Sequence, residues 1–389
     1  MNKVKVLVFV DWFLPAYKAG GPITSVLALI QNLGNELDIV IVTGDRDIAD
    51  TSSFKGVLLD KGVINSNLNV KIYYLSKTLR RFFTVCQIIK QEQPDVIYVN
   101  GVFSFWFSFF PVLIKRVGLI SAKVIVCPRG MLGNTTVNVK KFKKELFFSF
   151  LRVLNLYKYV IWHATNSAER EAIGLRFLSA DDVYTIPNIP IVGQTSSIVI
   201  DKEIGNLSLL FYSRILPIKN LELVLKAMAD VNSAYRVALD IYGPIEDQNY
   251  WQKCSSLIMD SPPHIQVNYK GAVNAHVEQV DFASYHFMVL PTLHENYGHA
   301  IAEALSCGCP VIISENTPWT NLESYTAGFC IDIADSRLWT EKIEKCAQMN
   351  SQEYASFNEG ARKYFDFKTD LKSLRKNYLA MFEGKNVLL

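Results

Sequence analysis

The stretch from Pro291 to Ser314, PTLHENYGHAIAEALSCGCPVIIS, holds the densest set of side chains able to do chemistry. An apolar run ending at Leu290 leads into a short loop with His294, Glu295 and Asn296; Tyr297 and Gly298 then open a helical pattern that carries Glu303. A helix start exposes unpaired N–H groups and a partial positive charge, so Asn296, Tyr297, Gly298 and His299 can offer backbone donors to a phosphate or to sugar hydroxyls. Gly298 lets a ligand come close. The Glu303 carboxylate can accept two vicinal hydroxyls at once, as a ribose presents them. An ordinary strand–loop–helix with a solvated Glu would produce similar letters. Ala300, Ile301, Ala304 and Leu305 around Glu303 favour a half-buried acid with a task.

A second constellation lies in LLFYSRILPIKNLELVLKA, where Arg214 follows a strand pattern and Lys219 precedes a helical one. Both cations then fall at the carboxyl edge of a sheet beside a helix start. Two cations there clamp a pyrophosphate and neutralise the charge that develops as a sugar–phosphate bond breaks. Solvated surface cations are the competing reading.

The first half is less explicit. Gly20 and Gly21 sit between the first strand and the helical stretch Ile23–Leu33, either as a simple turn or as a glycine loop approached by a ligand. Arg129 in CPRGML ends a strand pattern and is a candidate for acceptor binding. His163 closes another, as a sugar ligand or as a hydrogen-bonded core histidine. Residues 139–158 carry six basic side chains and one acidic, with Lys140, Lys141, Lys143 and Lys144 bunched at the start of a helical pattern, where cations oppose the dipole. This segment is either a solvated basic face or an interfacial one that meets anionic headgroups.

These residues are spaced along short β-branched runs that alternate with helical periodicity. Strands are expected at Val4–Val10, Leu37–Val42, Val70–Leu75, Val96–Val99, Val124–Cys127, Val160–His163 and Val183–Ile186, then at Leu207–Tyr212, Arg236–Tyr242, Ile265–Tyr269, Phe287–Leu290, Val311–Ile313 and Phe329–Ile331. Helices are expected between them, among them Arg81–Gln91, Lys140–Tyr157, Leu221–Asp230, His276–Ala283 and His299–Ser306. Such alternation predicts an α/β fold of two doubly wound, Rossmann-like parallel-sheet domains facing across a cleft. The pattern lapses at Pro187–Asn206, which sets the expected divisions: a first domain over 1–188, a linker over 189–205, a second domain over 206–366, and a C-terminal helix over 367–389 packing back on the first.

Composition agrees with two globular domains. The 389 residues are 50% hydrophobic and 20% charged, which excludes a disordered chain. The formal net charge of +3 is the sum of unlike halves: residues 1–190 carry 23 basic and 14 acidic side chains, residues 191–389 carry 17 and 23. The longest apolar candidate, Val102 to Ile114, has an internal proline and is shorter than the roughly 18 residues of a membrane span. It reads as a core or interfacial helix. Seven scattered cysteines read as reduced thiols of a cytosolic protein, and Cys307 and Cys309 lack a second ligand pair, so no metal or other cofactor is expected.

Arg214-x4-Lys219, with Glu295 and Glu303 inside HENYGHAIAEALSCGCPVI, resembles the donor-site signature of the family 4 retaining glycosyltransferases of the GT-B fold. Gly20-Gly21-Pro22, HATNSAE at 163–169, PN at 187–188 and YGP at 242–244 fall where that family has comparable segments. The resemblance implies a nucleotide-sugar donor held by the second domain. Arg214 and Lys219 would take the diphosphate, Glu303 the ribose, and Glu295 with the backbone of Asn296–His299 the transferred sugar. The base would lie near Gly271, Ala272 and Val273, with Gly243 and Gly21 also on the donor side. Glu295, Arg214 and Lys219 form the implied catalytic set, Glu295 positioning rather than attacking. HENYG departs from the commoner EGFG by placing Asn296 where a glycine is usual.

The expected activity is therefore a metal-independent, retaining transfer of a hexose or N-acetylhexosamine from a UDP- or GDP-sugar. The acceptor implied is a lipid-linked saccharide of surface polysaccharide assembly (O-antigen, capsule or exopolysaccharide). The enzyme would be cytoplasmic and peripheral on the inner leaflet of the cytoplasmic membrane, without a nucleic-acid partner. A sugar-nucleotide epimerase of the same fold and a non-catalytic saccharide-binding subunit are the alternatives.

Overall fold

A computed structural model describes residues 3–78, 81–132, 151, 155–177, 182–193, 200–273 and 280–385. The basic run at Lys140, Lys141, Lys143 and Lys144 lies outside the described residues, as do most of the helix expected at 140–157 and residues 276–279 of the one expected at 276–283, whose described end forms only a single helical turn at Phe282–Ser284. The chain divides into two compact units, Met1–Ile189 with Leu371–Leu389, and Pro190–Asp370.

The first unit is built on one sheet: β1 (Val4–Phe9), β2 (Leu37–Gly44), β3 (Gly62–Asn65), β4 (Val70–Leu75), β5 (Val96–Asn100), β6 (Lys123–Cys127), β7 (Val160–Ala164) and β8 (Val183–Thr185), in spatial order β3-β4-β2-β1-β5-β6-β7-β8. All neighbours are parallel except β3, which runs antiparallel to β4 on the edge. The central strands are continuous apolar runs because both faces are covered; Val6 to Val10 are buried without interruption. Helices α1 (Gly21–Leu33), α2 (Arg81–Glu92), α3 (Phe110–Arg116) and α4 (Ser167–Arg176) are connected to this sheet.

Two features depart from the sequence pattern. Strand β3, GVIN, was not expected: its Gly and Asn read as turn, Ile64 is exposed, and only pairing with β4 fixes its backbone. The aromatic run Val102–Ile114 is not one helix. A π-turn at Phe105–Phe109, started by Ser104 Oγ accepting the Phe107 N–H at 3.3 Å, precedes α3, with Pro111 in the first turn of α3 where its missing N–H costs nothing.

The second unit has β9 (Asn206–Tyr212), β10 (Arg236–Tyr242), β11 (Ile265–Gly271), β12 (Phe287–Leu290), β13 (Val311–Ser314) and β14 (Gly328–Ile331), all parallel, in the order β11-β10-β9-β12-β13-β14. Counting from β9, this is the 3-2-1-4-5-6 order of a dinucleotide-binding sheet. Helices α5 (Leu221–Ala229), α6 (Gln248–Met259), α7 (His299–Ser306), α8 (Ser336–Gln348) and α9 (Ser351–Thr369) belong to the same unit. Lys202, in the stretch read from sequence as linker, is buried and donates to the carbonyls of Ala347 and Met349 at 3.0 and 3.1 Å, satisfying the end of α8.

The last helix, α10 (Leu371–Glu383), is part of the first unit. Tyr378 donates its hydroxyl to the Pro187 carbonyl at 3.2 Å, and Phe382 lies edge-on to Tyr98 at 5.4 Å.

One glycine fixes the edge that carries the site. Gly243 follows β10 at φ 146, and a Cβ there would stand 1.9 Å from the Ser213 carbonyl oxygen. Gly243→Ala is therefore expected to lose at least about 3 kcal/mol of stability, read as a lower urea midpoint, because both backbone strain and a hard clash oppose it.

Candidate functional site

In a sheet of order 3-2-1-4-5-6, ligands bind beyond the carboxyl ends of the strands, at the point where the winding reverses. Here that point lies between β9 and β12, which pair through Phe287 with Leu209 and Met288 with Leu210. The loop after β9 carries Arg214 and Lys219, and the loop after β12 carries Glu295 to His299. The topology thus brings together two segments some 80 residues apart in sequence.

The two loops are stitched by the backbone. Ile218 accepts the Leu293 N–H at 2.8 Å and the Thr292 hydroxyl at 3.1 Å, and Glu295 donates its N–H to Asn316 at 3.0 Å. Lys219 sits in a one-turn helix, Pro217–Lys219, and is buried; its ammonium pairs with the Glu295 carboxylate. Arg214 is more open, and its Nη1 donates to both oxygens of Glu246, at 2.9 and 3.1 Å.

Gly298 caps α7 in the left-handed region at φ 79. A Cβ there would stand 2.9 Å from Ile301 and 3.4 Å from the Trp319 indole nitrogen, so glycine is the residue that fits. Trp319 donates Nε1–H to the Tyr297 carbonyl at 2.5 Å, and the Tyr297 ring packs edge-on to His299 at 4.9 Å. Asn296, Tyr297 and His299 therefore stand on a braced helix entrance.

Glu303, on the apolar helix α7, is half-buried, and burial pushes its carboxyl up to about 7. Tyr212, at the end of β9, has its phenol pushed up by burial and by the nearby Glu303. Gly243 and Gly271 meet at the carboxyl ends of β10 and β11, where the Gly243 N–H donates to the Gly271 carbonyl at 2.8 Å. Val273 is half-buried just beyond, at the last described residue of that segment.

The first unit holds the remaining candidates. Gly20, at φ 64, caps α1, and Gly21 begins it; a Cβ at Gly21 would meet nothing within 4 Å. Arg129 follows β6 at φ 55 and donates to Asn100 Oδ1 at 2.7 Å, to the Tyr98 hydroxyl at 3.0 Å and to Asn188. Asn100 in turn donates to the Pro22 carbonyl at 3.3 Å, so Arg129 and the glycine turn are tied through one amide.

His163 is completely buried, and both ring nitrogens are engaged at 2.8 Å, by the Tyr98 hydroxyl and by the Ile186 carbonyl. A carbonyl only accepts, so Nε2 carries the proton and Nδ1 accepts from Tyr98. Burial, with the Arg129 charge beside it, pushes this histidine down to about 3. Of its two sequence readings, the geometry is that of the hydrogen-bonded core histidine: no nitrogen is left for a sugar.

Several contributors escaped the sequence reading. Glu246 was passed over for the glycine three residues before it. Glu169, buried in the first turn of α4, accepts the N–H of Gly130 at 2.5 Å and both donors of Thr165 at 2.7 Å, which fixes the Arg129 turn. Asp47 accepts the N–H groups of Tyr17 and Lys18 at 2.9 and 3.2 Å and so shapes the loop before Gly20. Glu169 ends the HATNSAE segment quoted above, while Glu246 and Asp47 carry no signal beyond following a strand. Among the described residues, no group of three or more His, Cys, Asp or Glu is placed to hold a metal ion, and no helix is long and apolar enough to cross a membrane. All seven cysteines are free thiols.

Comparison with known proteins follows the same division. Residues 199–364 match the family model described as glycosyl transferases group 1. HepE of Anabaena, solved with UDP and glucose, superposes with a TM-score of 0.68 at 15% identity, covering 98% of this chain and 100% of that one. A TarM variant of S. aureus, solved with UDP and alpha-GlcNAc-glycerol among its ligands, gives 0.66 at 14%, covering 98% and 100%. WaaG, a glycosyltransferase involved in lipopolysaccharide biosynthesis, gives 0.62 at 13%, again covering 98% and 100%. No curated protein matches the chain. The chain thus carries a glycosyl transferases group 1 domain over residues 199–364, within the two-sheet α/β fold of the GT-B glycosyltransferases.

Proposed function

We propose that this protein is a retaining glycosyltransferase that moves a hexose or N-acetylhexosamine from a UDP- or GDP-sugar to a lipid-linked saccharide of surface polysaccharide assembly. The observation that carries the reading is the convergence of Arg214, Lys219, Glu295 and Glu303 at the winding reversal of the second sheet. UDP in the HepE and TarM structures supports a uridine donor, and the pathway named for WaaG supports the acceptor class.

In this reading Arg214 and Lys219 hold the diphosphate, Glu303 takes the ribose hydroxyls, and the braced entrance of α7 with Glu295 holds the sugar. The base lies beside Gly243, Gly271 and Val273. The acceptor hydroxyl attacks the anomeric carbon on the face from which the diphosphate leaves. The carbon–phosphate-oxygen bond breaks as the new glycosidic bond forms, and the acceptor proton passes to the departing phosphate oxygen. The two cations neutralise the leaving charge, and no metal is required. On the acceptor side Gly20 and Arg129 shape the site, with His163 supporting Arg129 through Tyr98.

The test is thermal unfolding in the presence of UDP, GDP and ADP, followed by incubation with the matching sugar nucleotide. A ligand at 100 times its Kd adds about 2.7 kcal/mol. Protection by none of the three overturns the reading. An epimerised sugar formed from donor alone points to the epimerase, and no turnover with acceptor points to a binding subunit.

Peripheral membrane attachment belongs to the same proposal. Phe83 and Phe105 are 72% and 55% exposed, and a ladder of ring contacts runs from Phe83 through Phe82, Phe110 and Trp106 to Phe105. Aromatic side chains of this kind seat at the headgroup boundary. The double variant Phe83→Ser/Phe105→Ser is expected to lower binding to anionic vesicles by about tenfold or more in a sedimentation assay, each buried Phe being worth roughly 1.5–3 kcal/mol.

A further inference from the structure

Glu246 serves nothing in the fold that its neighbours do not already supply. The cap of α6 is Asp247, whose carboxylate accepts the Tyr250 N–H at 2.9 Å. The Glu246 backbone is held by its N–H on the Ile215 carbonyl at 3.1 Å. Among the described residues its carboxylate has one partner, Nη1 of Arg214, which reaches both oxygens. That leaves Nε and Nη2 of the guanidinium as an open fork.

We infer that Glu246 is an internal counter-anion which occupies Arg214 while the site is empty and weakens its hold on a diphosphate. The inference rests on the donor-site reading above. The charges make the case: with Lys219 paired to Glu295, the pairing of Arg214 with Glu246 leaves these two cations balanced by two carboxylates. A donor with two negative charges is then attracted only as far as these carboxylates yield. The side chains of the Lys219–Glu295 pair are only 11% and 14% exposed, whereas those of the Arg214–Glu246 pair are 36% and 24% exposed, so water can take over the Glu246 carboxylate more readily. Glu246 is thus the one that gives way, and it regains Arg214 as the product nucleoside diphosphate departs. A site without it binds donor and product more tightly and releases product more slowly.

Glu246→Gln isolates this role, because the amide oxygen still accepts from Nη1 while the charge is gone. Calorimetric Kd values are compared for UDP, GDP, ADP and inorganic pyrophosphate, with uridine, guanosine and adenosine as uncharged controls, in wild type and variant of equal helicity. The expected result is about tenfold tighter binding of the preferred diphosphate, with its nucleoside changed less than about twofold and KM for the donor lowered without a rise in kcat. Unchanged or weaker diphosphate binding overturns the inference, and so does an equal gain for the nucleoside. Wild type that binds none of the seven probes overturns the donor-site reading itself.

Discussion

Arg214→Ala is expected to lower sugar transfer by at least about 100-fold, the scale of losing one preorganised electrostatic contact to developing charge. The same substitution moves the unfolding midpoint by less than about 4 °C. The two expectations separate because Arg214 is about a third exposed and, among the described residues, its one ion pair is with Glu246. Such a pair is worth roughly 0–1 kcal/mol to folding. Lys219→Ala is the less clean experiment. That ammonium is buried against Glu295, so its removal strands a carboxylate and costs stability as well as rate. Near-normal turnover in Arg214→Ala, measured with labelled donor and extracted lipid acceptor, removes the diphosphate assignment.

Glu303→Gln is expected to weaken nucleotide binding roughly 10- to 100-fold while making the protein more stable at pH 8. Burial raises this carboxyl from its ordinary 4.5 to about 7, which corresponds to about 3 kcal/mol spent on holding the ionised form. The cost is absent below pH 4.5, where folded and unfolded chains are both protonated. It grows between pH 4.5 and 7, where only the unfolded chain gives up the proton, and is complete above about pH 7. Glutamine removes it, so the melting temperature of the variant exceeds that of wild type by several degrees at pH 8 and by little at pH 4.5. In the proposed role the ribose hydroxyls donate to the ionised carboxylate, so nucleotide affinity of wild type is expected to fall as pH drops through 7, while the variant is weak and flat. A variant that binds as tightly as wild type, or melts lower at pH 8, contradicts the role given to Glu303. This would be a carboxylate kept at the expense of stability for a ligand.

The sequence reached far into the fold because the central strands of both sheets are buried on two faces. That environment forces runs such as Val6–Val10 and Phe287–Leu290 to be apolar throughout, and such runs are visible without a structure. It was misled where local letters and tertiary pairing disagree. GVIN looks like turn and becomes an edge strand because β4 supplies the hydrogen bonds. The run from Val102 to Ile114 looks like one helix and divides where Ser104 starts a π-turn and Pro111 starts the next helix.

The chemistry divides along the same line. Residue types and local spacing were enough to single out Arg214, Lys219, Glu295 and Glu303 as candidates, because a pair of cations after one strand and a carboxylate on an apolar helix after another are each unusual, although some 80 residues separate them. What only the tertiary structure decided is which charges meet. Lys219 finds Glu295 through the pairing of Ile218 with Leu293, Arg214 finds Glu246 across adjacent strands, and His163 is closed off between Tyr98 and Ile186. Composition and periodicity report what each segment needs from its surroundings, burial on two faces or on one. Charge pairing depends on strand order, and strand order is set by the packing of the whole unit.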